Sequence, residues 1–148
     1  MKVLLTKRGG ESNEHFKARL LFAKYLKSRY HEPEYLIIEE YPPYRPKARS
    51  DLVVIKYVPP RLKIEMWVEV QESPLNSTSW RKKLSSIKRN FRVDKIAVVL
   101  TEKTKNEAMS VLKILEELFS QFSVFVADTV HDSIFLFGKN GKLLRCKT

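Results

Sequence analysis

Two carboxylates and an amide carry the spacing in this chain with the clearest capacity for chemistry. Asp51 opens one apolar, β-branched run, Asp51-Leu52-Val53-Val54, and Glu69 and Gln71 close another, Trp67-Val68-Glu69-Val70-Gln71. On a strand of period two, Glu69 and Gln71 point to one side while Val68 and Val70 point to the other. If the runs pair as a hairpin around Pro59-Pro60, Asp51 at the start of the first lies beside Glu69 and Gln71 at the end of the second. An Asp, a Glu and an amide then share one end of a sheet, with the Val70 carbonyl between them. Mg²⁺ needs few carboxylates and hard oxygen donors, because it keeps several of its waters. A cation held there would lower the pKa of a water and neutralise charge at a phosphodiester.

Other chemistries lack their residues. His15, His31 and His131 have no zinc spacing, and no Gly-rich phosphate loop or dinucleotide fingerprint is present. Cys146 is the single cysteine, so an intramolecular disulfide and a thiolate metal cluster are both excluded, and an intracellular location is the default. Its place near the C-terminus does not suggest a nucleophile. No apolar run approaches the roughly 18 residues of a membrane span. The opening Met1-Lys2-Val3-Leu4-Leu5-Thr6-Lys7 breaks into charge too early for a secretory signal.

The elements that must position Asp51 and Glu69 follow from patterning. The 148 residues, 43% hydrophobic and 30% charged, suit one globular domain. Ser12 or Asn13 can cap a helix on which Phe16, Leu20, Ala23, Leu26 and Tyr30 form one row and Glu14, Ala18, Leu21 and Tyr25 a neighbouring one. Glu14 falls in the first turn at the edge of the buried face, where an acid also complements the helix dipole. Strands are expected over residues 35–41, 51–58 and 62–71. A helix from Ser77-Thr78-Ser79 with Trp80, Leu84, Ile87 and Phe91 as its apolar stripe follows, then a buried strand over 94–100. A helix packing through Ala108, Val111, Leu112, Leu115, Leu118 and Phe119, and strands over 123–127 and 133–137, complete the chain. Asn140-Gly141 marks a tight turn into a short edge strand at 143–146. The expected class is a mixed α/β sandwich.

Charge points to a polyanion. With 28 Lys and Arg against 17 Asp and Glu, the formal net charge is +11, which suits DNA, RNA or an anionic membrane surface as partner, or a solubilising surface. The loop Pro42-Pro43-Tyr44-Arg45-Pro46-Lys47-Ala48-Arg49 places Arg45, Lys47 and Arg49 just before Asp51, as a backbone-following segment or a solvated connector. The second helix carries Arg81, Lys82, Lys83, Lys88 and Arg89 without an acid, which favours phosphate contact.

Asp51, seventeen residues, then Glu69-Val70-Gln71, after a helix bearing Glu14 and before a basic helix, resembles the PD-(D/E)XK nuclease superfamily. The resemblance covers the α-β-β-β-α-β order of about residues 12–101, with residues 102–148 as a C-terminal extension. It implies a restriction-endonuclease-like core and a metal-dependent deoxyribonuclease. Carried over by position, Asp51, Glu69 and the Val70 carbonyl would bind Mg²⁺ or Mn²⁺, and Gln71 would orient the attacking water. Glu14, as in the archaeal Holliday-junction resolvases of that superfamily, would assist from the first helix, with Glu11 as competitor. Ser50 replaces the name-giving proline and Gln71 the lysine. A glutamine can orient a water but cannot carry charge, so Lys83 is an alternative source of the cation. A fold-retaining, catalytically inactive nucleic-acid-binding module is the other function that this substitution allows, and branched-junction cleavage would call for a homodimer.

Overall fold

A computed structural model describes residues 5–39, 50–93 and 95–147. Three α-helices and seven strands are formed among the described residues: α1 (Asn13–Arg29), β1 (Tyr35–Glu39), β2 (Leu52–Val58), β3 (Arg61–Gln71), α2 (Ser77–Asn90), β4 (Ile96–Leu100), α3 (Ala108–Leu118), β5 (Phe122–Asp128), β6 (Ser133–Phe137) and β7 (Leu143–Arg145). The strands make one mixed sheet in strict chain order, β1-β2-β3-β4-β5-β6-β7. The pairs β1/β2, β2/β3, β5/β6 and β6/β7 are antiparallel, and β3/β4 and β4/β5 are parallel. The C-terminal strands thus extend the sheet rather than form a separate layer. No helix among the described residues is long and apolar enough to cross a membrane.

Three layers follow from the parity of the strand residues. Leu52, Val54, Val68, Val70, Ala97 and Val99 face one side, where Ala18, Phe22, Ala23 and Leu26 of α1 cover them. Trp67, Ile96, Val98, Leu100 and Val124 face the other, beneath Trp80, Leu84 and Ile87 of α2 and Val111 and Leu115 of α3. The parallel crossovers β3-α2-β4 and β4-α3-β5 step in one direction across the sheet. Crossovers of a single hand therefore put α2 and α3 on the same face. Trp80 anchors α2: its indole nitrogen donates to Glu107, 2.7 Å away, and Glu107 also accepts from the Leu75 amide at 3.0 Å.

Sequence and structure differ over α1. The buried residues are Ala18, Arg19, Phe22, Ala23 and Leu26, so Ala23 and Leu26 of the expected row face inward while Phe16 and Leu20 are only partly buried and Arg19 and Phe22 join the inner face. Phe22 stacks against Tyr25 and Phe125, while Arg19, fully buried, is turned inward by carboxylates rather than by apolar burial. The expected first strand reached residue 41, and residues 40–49 lie outside the described residues, so Arg45, Lys47 and Arg49 do too. The strand expected over 94–100 runs Ile96–Leu100. Gly141, with φ of 81°, takes the left-handed turn position that its Asn-Gly pair suggested. It leads into β7, whose Leu143 and Leu144 are exposed.

Candidate active site

The β2–β3 register builds the site. Leu52 pairs with Val68, so Asp51, one residue earlier, stands across from Glu69. The Asp51 amide donates to the Val68 carbonyl at 3.1 Å, and the Val70 amide donates to Asp51 Oδ2 at 2.7 Å. The Asp51 side chain thereby satisfies the main chain at the end of β3 and is fixed by it. Glu69 lies two residues after Trp67 on the same face, and the Trp67 indole nitrogen donates to Glu69 Oε1 at 2.8 Å. The Thr104 hydroxyl donates to the Gln71 carbonyl at 2.8 Å and pins the strand's end.

From α2, Lys83 reaches the same place. Its Nζ lies 3.3 Å from Glu69 Oε2 and donates to Gln71 Oε1 at 2.9 Å. The Gln71 amide nitrogen donates to the Ser73 carbonyl at 2.6 Å. Asp51, Glu69, Val70, Gln71, Lys83 and His15 line one cleft of about 420 Å³.

His15 arrives from α1, on the opposite side of the sheet. Its Nε2 is 3.0 Å from the Val70 carbonyl oxygen and 3.3 Å from Asp51 Oδ1, while its Nδ1 faces the Glu11 carboxylate. Both ring nitrogens face acceptors, an arrangement that favours the protonated ring. Glu11 is held by Arg19, whose Nε and an amino nitrogen each donate at 3.0 Å, and by the Arg8 amide at 3.0 Å. Arg19 also pairs with Glu39 and donates to the Thr6 carbonyl at 2.8 Å. Arg8 closes the circuit by donating to Asp51 Oδ1 at 2.7 Å.

Charge is unevenly distributed in this cluster. Burial pushes the Glu69 carboxyl up, the Asp51 charge adds to that, and together they outweigh Lys83 and the Trp67 hydrogen bond to bring it to about 7. Burial acts on Asp51 in the same sense, but the hydrogen bonds and charges of His15 and Arg8 and the Val70 amide hold it below its ordinary value. Glu11 is likewise depressed, since Arg19, Arg8 and His15 overcome its burial. His15 rises because Asp51 and Glu11 outweigh its desolvation.

The residues that could hold a small, hard divalent cation are few. Asp51, Glu69 and the Val70 carbonyl place three oxygen-bearing groups at one cleft, where Arg8, His15, Lys83 and the Val70 amide meet them. His15 Nε2 lies against two of those three groups, the Val70 carbonyl and Asp51. Among the described residues no cluster of three or more His, Cys, Asp or Glu side chains is arranged to hold a metal ion. A metal held here would rest on two side chains and a main-chain oxygen, a donor set of the kind Mg²⁺ or Mn²⁺ takes.

The other sequence-derived candidates are distributed unequally. Glu14 is not brought to the cleft: it accepts a hydrogen bond from Thr129 at 2.7 Å. One turn earlier, Glu11 is the helix-side carboxylate that communicates with Asp51, through His15 and Arg8. Arg81 pairs with Glu117 at 2.5 Å on the side of α3, while Lys82, Lys88 and Arg89 are exposed on α2. Sequence reasoning missed His15 and Arg19. His15 and Arg19 stand four residues apart on one face of α1, with Glu11 just before its Ser12 cap, and an arginine beside Ala18 in a buried row was the available sign. No protein-family model matches the chain, and no curated protein matches it significantly.

Proposed function

We propose that the protein is a metal-dependent deoxyribonuclease of the PD-(D/E)XK type with a restriction-endonuclease-like core. One observation carries the reading. Asp51 and Glu69, on adjacent strands, open with the Val70 carbonyl into a cleft whose cation, Lys83, contacts both Glu69 and Gln71. Asp51, Glu69 and Val70 would hold Mg²⁺ or Mn²⁺, which supplies charge neutralisation and an acidified water at the phosphodiester. Lys83 takes the place of the lysine that Gln71 lacks. It reaches the same spot from α2, where its charge can steady the reacting phosphate. Glu11 orients His15 through Nδ1, so that Nε2 is directed at Asp51 and Val70.

The test is cleavage of linear, single-stranded and four-way DNA with Mg²⁺ or Mn²⁺, comparing wild type with Glu69→Ala. Metal-stimulated cutting by the wild type alone is expected. Equal, metal-independent activity in both proteins would sink the proposal.

Gln71 favours a second reading, a nucleic-acid-binding module without chemistry. Both ends of its amide are engaged, by Lys83 and by the Ser73 carbonyl, so neither is free to orient a water. That reading requires salt-dependent DNA binding together with no cleavage and no thermal shift on adding Mn²⁺.

A further inference from the structure

The exposed side of α2 has a composition that the carboxylate site does not use. Over its fourteen residues α2 carries five cations, five hydroxyl side chains and no carboxylate. Serine and threonine are weak helix formers, and a solvated helix face usually mixes both signs of charge. Trp80, Leu84 and Ile87 occupy the inner face. Outside, Thr78, Lys82, Ser85 and Arg89 recur at spacings of four, three and four, which puts them in one row along the helix. Ser79, Lys83, Ser86 and Asn90 form the adjacent row, on the side of Glu69. No two of the five cations stand three or four residues apart. Hydroxyls separate them along the rows, so mutual repulsion is small.

The clefts along the two rows share lining residues. Gln71 and Lys83 line both the carboxylate cleft and a second one shared with Ser79 and Lys82. Lys82 in turn lines a third, of about 370 Å³, with Thr78, Ser85 and Arg89. Among the described residues Lys82 and Arg89 enter no ion pair, in contrast to Arg81 and Lys83. Short hydroxyls reach only a ligand that lies in the groove, and no exposed apolar side chain accompanies the cations as membrane insertion requires.

We propose that this groove carries the phosphodiester backbone of the nucleic-acid strand on one side of the bond presented to Asp51 and Glu69. Lys82, Ser85 and Arg89 would hold its phosphates. The inference rests on the nuclease reading for the position of that bond. Lys82 and Arg89 are seven residues apart, about 10 Å along the helix, or about three nucleotides at 3.4 Å per step. Substrates must therefore extend about three nucleotides to that side.

The test measures binding of a fluorescein-labelled 12-nucleotide DNA in EDTA across a salt series, by anisotropy. The proteins are wild type, Lys82→Ala/Arg89→Ala, and Lys17→Ala/Lys24→Ala. The last loses the same charge from exposed positions of α1, on the other side of the sheet. The groove variant should bind about tenfold more weakly, with a log K against log salt slope shallower by about 1.4, at about 0.7 per phosphate. The α1 variant should stay within about twofold of wild type. Equal loss in both variants, or none in the groove variant, overturns the proposal. So does loss of binding to phosphatidylserine vesicles with oligonucleotide binding intact. The binding arm contains no cleavage step. A wild type that binds through α2 but never cuts with Mg²⁺ or Mn²⁺ removes the nuclease reading and leaves the groove. One that cuts, and whose groove variant binds and cuts normally, does the reverse.

Discussion

Replacing Glu69 by glutamine should stabilise the metal-free protein at neutral and alkaline pH. Burial, reinforced by Asp51, raises the Glu69 carboxyl from its ordinary 4.5 to about 7. At about 1.4 kcal/mol per pKa unit, keeping that group ionised costs the folded state about 3 kcal/mol. Between pH 4.5 and 7 the native protein holds a proton that the unfolded chain has released. Stability therefore falls with rising pH across that window and levels off above it. Glutamine keeps the shape and the Trp67 hydrogen bond without the charge, and Lys83, about one-third exposed, can turn to water. His15, with its pKa raised, contributes stability that is full below its ordinary 6.5 and is lost as pH rises through its folded value. That loss is common to both proteins. Thermal unfolding in EDTA from pH 4.5 to 8.5 should show the variant gaining on wild type up to about pH 7. The final advantage should be roughly 6–12 °C, at about 2–4 °C per kcal/mol for a domain of this size. Mn²⁺ at pH 8 should then raise wild type and not the variant. Unfolding curves that run parallel at every pH would refute the reasoning, because they would mean that Glu69 is not a charge trapped beside Asp51.

Glu11→Gln should destabilise the protein by about 1–3 kcal/mol in urea unfolding, because it removes one of the two carboxylates, Glu11 and Glu39, that neutralise the fully buried Arg19. Glu14→Gln, by contrast, alters one hydrogen bond to Thr129 and should cost about 1 kcal/mol or less with cleavage unchanged, which separates the two helix carboxylates by assay. Lys83→Ala should lower kcat by about a hundredfold or more while calorimetry finds Mn²⁺ affinity undiminished, since the lysine contacts Glu69 and Gln71 but supplies no metal ligand. Acid unfolding should be governed by Asp51 and Glu11: both are held low in the native state, so their stabilisation is present above their ordinary values and is lost as pH falls below about 4, measurable as a drop in Tm.

The elements of this fold were legible because their signals are local. Alternation over Trp67–Gln71 set Glu69 apart from Val68 and Val70, and the β2–β3 hairpin carried Asp51 to the end of β3 by register alone. The apolar stripe Trp80–Leu84–Ile87 likewise fixed which side of α2 is buried and left its cations outside. On α1 the same reading found Ala23 and Leu26 but missed Arg19. Arg19 is buried because Glu11 and Glu39 neutralise it, and periodicity weighs apolarity without seeing a charge met by a partner twenty residues away. The choice between Glu14, in the first turn of α1, and Glu11, just before its cap, depended on how the start of that helix packs against the end of β3. His15 is the sharpest case. Its Nε2 meets the Val70 carbonyl, fifty-five residues on in the chain. Sequence determined the strands, their facing carboxylates and the basic helix, since those follow from neighbours along one backbone. Only the tertiary structure decided that His15, Glu11 and Lys83 enclose them, because contacts between elements are set by how the layers pack.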